Sequence, residues 1–170
     1  MTRRLFEDTV LPHLDAAFNY ARWLTKSEAD AEDVVQDAYV RALRFFSSLR
    51  SDDARSWLLT IVRNTALNYL QRERPKSEVA WDDKAPEPAD RSAGPETRLL
   101  QKEQRERVRS AIERLPIEFR EPLVLREIEG LPYKEIAWVL KIPMGTVMSR
   151  LSRARNLLLQ ELIPQEGGAQ

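Results

Sequence analysis

Arg150, Arg153 and Arg155 stand among hydroxyls in the segment GTVMSRLSRARNLL, and no acidic residue interrupts the chain from Lys141 to Leu159. Guanidinium forks pair with guanine edges or with phosphates, and hydroxyls serve either partner. The chemistry implied is non-covalent recognition of duplex nucleic acid. Its candidate contacts are Thr146, Met148, Ser149, Arg150, Arg153 and Arg155, with Ser152 on the same side. A second set recurs at helical spacing further upstream: Trp57, Thr60, Asn64, Asn68 and Gln71. Charged residues would solvate a helix better, and asparagine is a poor helix former. A flat ring for stacking and amides for base edges suit unstacked bases. Arg55, Arg63, Arg72 and Arg74 flank that stripe and suit phosphates. The competing reading makes Trp57 an ordinary core residue at a helix start. A third set, Asp30, Asp33 and Asp37 followed by Arg41 and Arg44, shares one stripe. It fits a solvated helix whose charges match its dipole. It equally fits a docking surface for a basic protein, with Gln36 and Val40 among the acids.

These groups need elements to hold them. Val147, Leu151, Ala154 and Leu158 repeat at four, three and four, which predicts a helix with one buried stripe. Pro143 suits its start, where a missing N–H costs nothing. Ile136, Val139 and Leu140 mark a preceding helix, with small Ala137 where the second helix crosses. Together they form a helix-turn-helix with a basic second helix. Lys141 occupies the turn, where a left-handed backbone would cost a lysine roughly 1 kcal/mol. The acidic segment, Asp30–Phe46, should bury Val34, Val35, Ala38, Ala42 and Phe45. The segment Arg55–Glu73 should bury Leu58, Ile61, Val62, Ala66 and Tyr69. Val108, Ala111, Ile112 and Leu115 predict a further buried stripe ended by Pro116. Pro122 then fits the first turn of a helix starting near Glu118 or Phe119.

Composition sets the class. The chain has 170 residues, 42% apolar, with 5 glycines and few β-branched runs, so an all-α fold is expected. Two small helical domains are expected, over 1–74 and 98–163, with a polar tail over 164–170. Between them 75–97 holds Pro75, Pro86, Pro88 and Pro95 and reads as a flexible linker. Fully stretched it spans about 70 Å, close to two turns of DNA at roughly 35 Å each. With 27 basic and 27 acidic residues the net charge is +0, unusual for a DNA-binding protein. Basic surface must be local, and a partner is expected to supply further electrostatics. There is no cysteine, no glycine-rich phosphate loop and a single histidine, His13, read as an ordinary helix-start residue. Neither catalysis nor a cofactor, metal or small-molecule substrate is expected. No segment reaches the roughly 20 apolar residues of a membrane span and no signal peptide is visible, so a cytoplasmic location is expected.

Four segments in order, DAEDVVQDAYVRAL, WLLTIVRNTALNYLQRER, LPIEFREPLVLREIEGLPYKEIAWVL and GTVMSRLSRARNLL, resemble the extracytoplasmic-function (ECF) sigma factors of bacteria, within the sigma-70 family. The resemblance covers all but the linker and the tails. It implies a region 2 bundle and a region 4 helix-turn-helix. It implies core RNA polymerase contacts at Asp30, Asp33, Gln36, Asp37 and Arg41. Arg55, Trp57, Thr60, Arg63, Asn64 and Asn68, with the loop Ser47–Ser56, would take the melted -10 strand. Thr146, Met148, Ser149, Arg150, Arg153 and Arg155 would lie on the -35 duplex. Promoter DNA, core polymerase and an anti-sigma factor are the implied partners. Two positions depart from the family: Met148, where many relatives carry a basic residue, and Lys141, where glycine is usual. The rival reading is a helix-turn-helix regulator acting without polymerase, which has no need of the Trp57–Gln71 stripe or the acidic helix.

Overall fold

The computed structural model describes residues 2–49, 53–72 and 94–163, and among them there are helices and no strands. Helix α1 (Thr2–Val10) runs through a short 3-10 turn, Leu11–His13, into α2 (Leu14–Thr25). Lys26 ends α2 in the left-handed conformation at φ 58°, and the Thr25 hydroxyl donates back to the Ala21 carbonyl at 2.9 Å. Ser27 then caps α3 (Glu28–Arg44), its side chain accepting from the Asp30 N–H at 3.2 Å. That satisfies one of the donors a helix start leaves open.

Helix α3 ends one residue before Phe45, and Phe46–Ser48 form a 3-10 turn. This corrects the expected core: Phe45 is 53% exposed. The tighter turn rotates Phe46 inward instead, edge-on to Phe6 at 5.2 Å and to Trp57 at 6.4 Å between centroids. Helix α4 (Ala54–Arg72) buries Leu58, Leu59, Val62 and Ala66 against α2 and α3. With Phe6, Val10, Tyr20 and Val34 these form the centre of the first half.

The second half opens at α5 (Pro95–Arg114), with Gly94 before it and Pro95 in its first turn. Residues 95–97, expected in the linker, are thus helical: proline's fixed φ and absent N–H favour that position. The rest of the linker (through 93), Arg74 and the tail 164–170 lie outside the described residues. Ala111, Ile112 and Leu115 are buried as expected, whereas Val108 is 40% exposed.

Helix α6 (Ile117–Leu123) starts at Ile117, so Pro122 lies inside it rather than in its first turn. A proline there removes one helical bond and its ring crowds the preceding turn. The chain responds by widening: Val124–Ile128 is a π-helical turn, and the Glu129 N–H donates to the Val124 carbonyl at 3.1 Å. Gly130 then reverses the chain at φ 71°. Helix α7 (Tyr133–Leu140) ends at Lys141, whose φ of 56° is the left-handed turn expected there. Pro143 precedes α8 (Met144–Leu162). Val147, Leu151 and Ala154 are fully buried against α6 and α7, with Leu158 half-buried.

The halves pack on each other. Helix α4 lies against α7, and α2 against α6.

Candidate nucleic-acid interface

The buried stripe of α8 turns its opposite side to solvent. Ser149, Ser152, Arg153, Arg155 and Met148 are exposed, with Thr146 and Arg150 half-exposed at the flanks. Asn156 is also exposed and continues the series Ser149, Ser152 at helical spacing. It was absent from the expected contacts, although that spacing pointed to it. Two of the arginines are already held. The Arg155 guanidinium donates to Glu127 Oε1 at 2.7 Å, and Arg153 lies over the Phe119 ring at 5.6 Å. Both remain at the surface and are pre-oriented by these contacts. Ala137, expected where α8 crosses, is half-buried and lines the groove between the two halves.

Helix α4 differs. Asn64, Asn68 and Gln71 are exposed, while Trp57 and Thr60 are half-buried. The Thr60 hydroxyl is turned back on its helix, donating to the Ser56 carbonyl at 2.9 Å. Trp57 packs on Phe46, as the core reading has it, and also lines a groove of about 820 Å³ with Leu49, Pro132 and Trp138. Two of the flanking cations are engaged by the second half. Arg63 donates through Nε and Nη2 to the two oxygens of Glu121 at 3.0 and 3.3 Å. Arg55 donates to the Glu129 carbonyl at 3.1 Å and lies 3.7 Å from the Glu135 carboxylate. The buried Ser56 hydroxyl donates to Glu135 at 3.0 Å. Sequence reasoning missed Ser56, Glu121 and Glu135, because no local spacing links positions 58 and 79 residues apart.

Burial sets the electrostatics of this seam. Glu121 is 4% exposed, and desolvation raises its pKa above the ordinary glutamate value although Arg63 opposes the shift. Desolvation, and then the Glu121 charge, pushes the Tyr20 hydroxyl well above its ordinary range. Tyr20 donates to the same carboxylate at 3.4 Å. Glu129 is raised by burial, with Arg55 opposing.

Helix α3 carries the third set. Asp33, Gln36, Asp37 and Val40 are exposed, and Arg41 pairs with Asp37 at 3.5 Å. Asp30 is a correction: it is 4% exposed and accepts from the Tyr69 hydroxyl at 2.8 Å. It sits in the first turn beside the Ser27 cap, and Tyr69 of α4 draws it inward. Among the described residues no cluster of acids and histidine is arranged to hold a metal ion. No helix there is long and apolar enough to cross a membrane.

Comparison with known proteins gives two family matches in order along the chain. Residues 9–76 match Sigma-70 region 2, and residues 105–158 match Sigma-70, region 4. The chain is 35% identical over 170 residues to the RNA polymerase sigma-H factor of Pseudomonas aeruginosa, covering 95% of this chain and 88% of that protein. It is 40% identical over 143 residues to the ECF RNA polymerase sigma-E factor of Escherichia coli K12, covering 79% and 75%. Among solved structures it resembles the sigma factor RpoE bound to the anti-sigma factor NepR from Bartonella quintana. The TM-score is 0.71 at 28% identity, over 92% of this chain and 96% of that one. CnrH in complex with the cytosolic domain of CnrY gives a TM-score of 0.66 at 27% identity, over 93% and 87%.

Proposed function

This chain belongs to the ECF sigma factors of the sigma-70 family, and on that footing we propose how its surfaces divide the work of initiation. It is a polymerase-associated, promoter-specific sigma factor. The observation that carries this is the presence of both sigma regions, in order, on one chain.

The exposed acids and amide of α3, Asp33, Gln36 and Asp37 with Arg41, form the docking face for core polymerase. Asp30 supports that face from beneath by fixing α3 to Tyr69. Helix α4 receives the melted -10 strand: Asn64 and Asn68 address base edges, Trp57 offers a stacking face, and Arg55 and Arg63 hold phosphates. Each captured base contributes about 1–3 kcal/mol, so strand opening draws on binding and needs no nucleotide hydrolysis by this chain. Helix α8 enters the -35 major groove with Ser149, Ser152 and Arg150 toward the bases and Arg153 and Arg155 toward phosphates. Met148 places an apolar contact on that face. The division follows the domains, with 1–74 for docking and the -10 strand and 98–163 for the -35 duplex.

The chain acts in the cytoplasm, where core polymerase is, and performs no catalysis of its own. Its further partner is an anti-sigma protein, supported by the structural neighbour RpoE, a sigma factor in complex with the anti-sigma factor NepR. The test is reconstitution. The purified chain should co-elute with bacterial core polymerase and direct transcripts from a discrete set of start sites. Co-elution without directed initiation would overturn the assignment of α4 and α8. Failure to co-elute would overturn the docking face.

A further inference from the structure

Arg155 of α8 is anchored outside its own helix. Its Nε and Nη2 both donate to Oε1 of Glu127, at 3.3 and 2.7 Å. The Tyr133 hydroxyl oxygen takes a further hydrogen bond from it. Tyr133 is itself fixed by Arg126, which lies over its ring at 4.6 Å and donates through Nη1 to the Leu131 carbonyl at 3.0 Å. Arg126 and Glu127 both belong to the π-helical turn that follows Pro122, and Tyr133 opens α7. Single π-helical turns are rare in helices and recur at functional sites. Here the turn sets a cation against the tyrosine ring and a carboxylate against α8.

We propose that Glu127 is a positioning residue for duplex binding: its Oε1 oxygen, with the Tyr133 hydroxyl, aims Arg155 at a backbone phosphate. This rests on α8 being the duplex-contacting helix with Arg155 toward phosphates.

The geometry suits that role better than it suits fold stability. The Arg155 and Glu127 side chains are 44% and 52% exposed, where an ion pair contributes little to folding. Glu127 takes Nε and Nη2 on one edge of the guanidinium, and Nη1 has no part in that bond. A planar fork with five N–H donors can hold one acceptor on one edge and a second on another. An arginine already fixed loses less side-chain freedom on meeting its ligand. The sign of the effect separates this role from that of a bystander. A carboxylate beside a phosphate repels it, so removing a bystander acid should strengthen duplex binding. Removing a positioning acid should cost a contact.

The test uses the full chain and two labelled duplexes of unrelated sequence, each recovered from a random pool by the wild-type chain. Affinity is followed from about 50 to about 200 mM salt. The variants are Glu127→Ala, Glu127→Gln, Arg155→Ala, and Glu127→Ala joined with Arg155→Ala, each checked for helix content.

Loss of one phosphate contact makes the slope of log affinity against log salt shallower by about 0.9. Arg155→Ala should show that loss on both duplexes, because a phosphate carries no sequence information. Glu127→Ala should show the same loss, and joining the two changes should add nothing. Glu127→Gln keeps an acceptor oxygen and sheds the charge, so it should return the slope to that of the wild type. If Arg155→Ala flattens the slope and Glu127→Ala does not, Glu127 is a bystander and the positioning role is overturned. If Arg155→Ala itself leaves the slope unchanged, the fault lies with the phosphate assignment of Arg155, and the role of Glu127 falls with it.

Discussion

Helices α4 and α8 are each 19 residues long and each carries arginines among uncharged polar groups, yet Arg55 and Arg63 of α4 are held by the other half of the molecule and the arginines of α8 are not. On α8 the polar side faces solvent, and its held arginines, Arg153 and Arg155, are tied only to residues of their own half. On α4, Arg63 and Arg55 reach across to the other half. The difference fits the ligand proposed for each helix. A helix that enters a groove needs one convex face, which a small domain can present by itself. A helix that captures extruded bases needs a groove with aromatic walls. Such a groove invites coverage, since leaving it open exposes Trp57 and its neighbours to water.

The comparison is sharpened most by making the same change on both helices. Arg63→Ala leaves Glu121 buried without its guanidinium, a loss of about 3–5 kcal/mol if the halves stay together. If they part, Glu121 is re-solvated and the cost falls to that of separation. Urea unfolding should therefore show either a large fall in midpoint or a two-step transition. Arg150→Ala on α8 should stay within about 0.5 kcal/mol, as for a surface site with no special contact. Equal effects from the two substitutions would erase the distinction between the two helices.

Acidification tests the seam from its other side. Burial raises Glu113, Glu121 and Glu129 above the ordinary glutamate value of 4.5. For an acid so raised, the closed chain binds more protons than the unfolded one. The stability it contributes is full below 4.5 and is lost as pH rises through the raised value. The groups facing these acids are Arg63, Arg120 and the Tyr20 hydroxyl around Glu121, Arg55 at Glu129, and Arg109, Lys26, Arg120 and Arg22 around Glu113. His13 runs the other way. Burial, then Arg55, lowers its pKa, so its contribution is lost as pH falls below 6.5. With these acids at the seam, lowering pH from about 7.5 to about 5 should close the halves further. The readout is increased energy transfer between dyes on cysteines introduced at exposed Asn19 and Gln160 of this cysteine-free chain. Glu121→Gln should flatten that rise. A fall in transfer on acidification would mean that the Arg63 attraction outweighs desolvation.

Much of this was legible in the sequence, and the failures share a cause. The α8 stripe and the left-handed Lys141 followed from spacing and from turn chemistry, both local. Asp30 was misread because its spacing placed it with Asp33 and Asp37, while its partner Tyr69 comes from another helix. Phe45 was misread by a single residue, since the end of α3 decides which of two adjacent rings turns inward. Pro122 read as a helix start because the π-helical turn that accommodates it has no simple sequence signature. The seam was invisible for a stronger reason: each carboxylate looks like ordinary solvated charge until the halves meet.

Both left-handed lysines bear on the comparison at a smaller scale. Lys26 at φ 58° and Lys141 at φ 56° each close a helix in a conformation that glycine adopts without strain. Lys141→Gly should stabilise the chain by about 0.5–1 kcal/mol, seen as a higher melting temperature. Lys26→Gly should yield a similar gain. A loss at Lys141 alone would mean that its side chain, rather than the turn geometry, matters to the helix-turn-helix.

The smallest expected change lies on α8 and touches stability least. Met148 is 48% exposed on the face of α8 assigned to the duplex. Met148→Arg adds a cation there and removes no buried contact, so melting should shift by no more than about 0.5 kcal/mol allows. Duplex binding should respond instead. One added phosphate contact steepens the slope of log affinity against log salt by about 0.9. Single-strand binding should stay as it was, because the substitution leaves α4 unchanged. If Met148→Arg leaves the salt slope unchanged, this position faces away from the duplex. The reading face would then be centred on the flank that carries Thr146, Arg150 and Arg153.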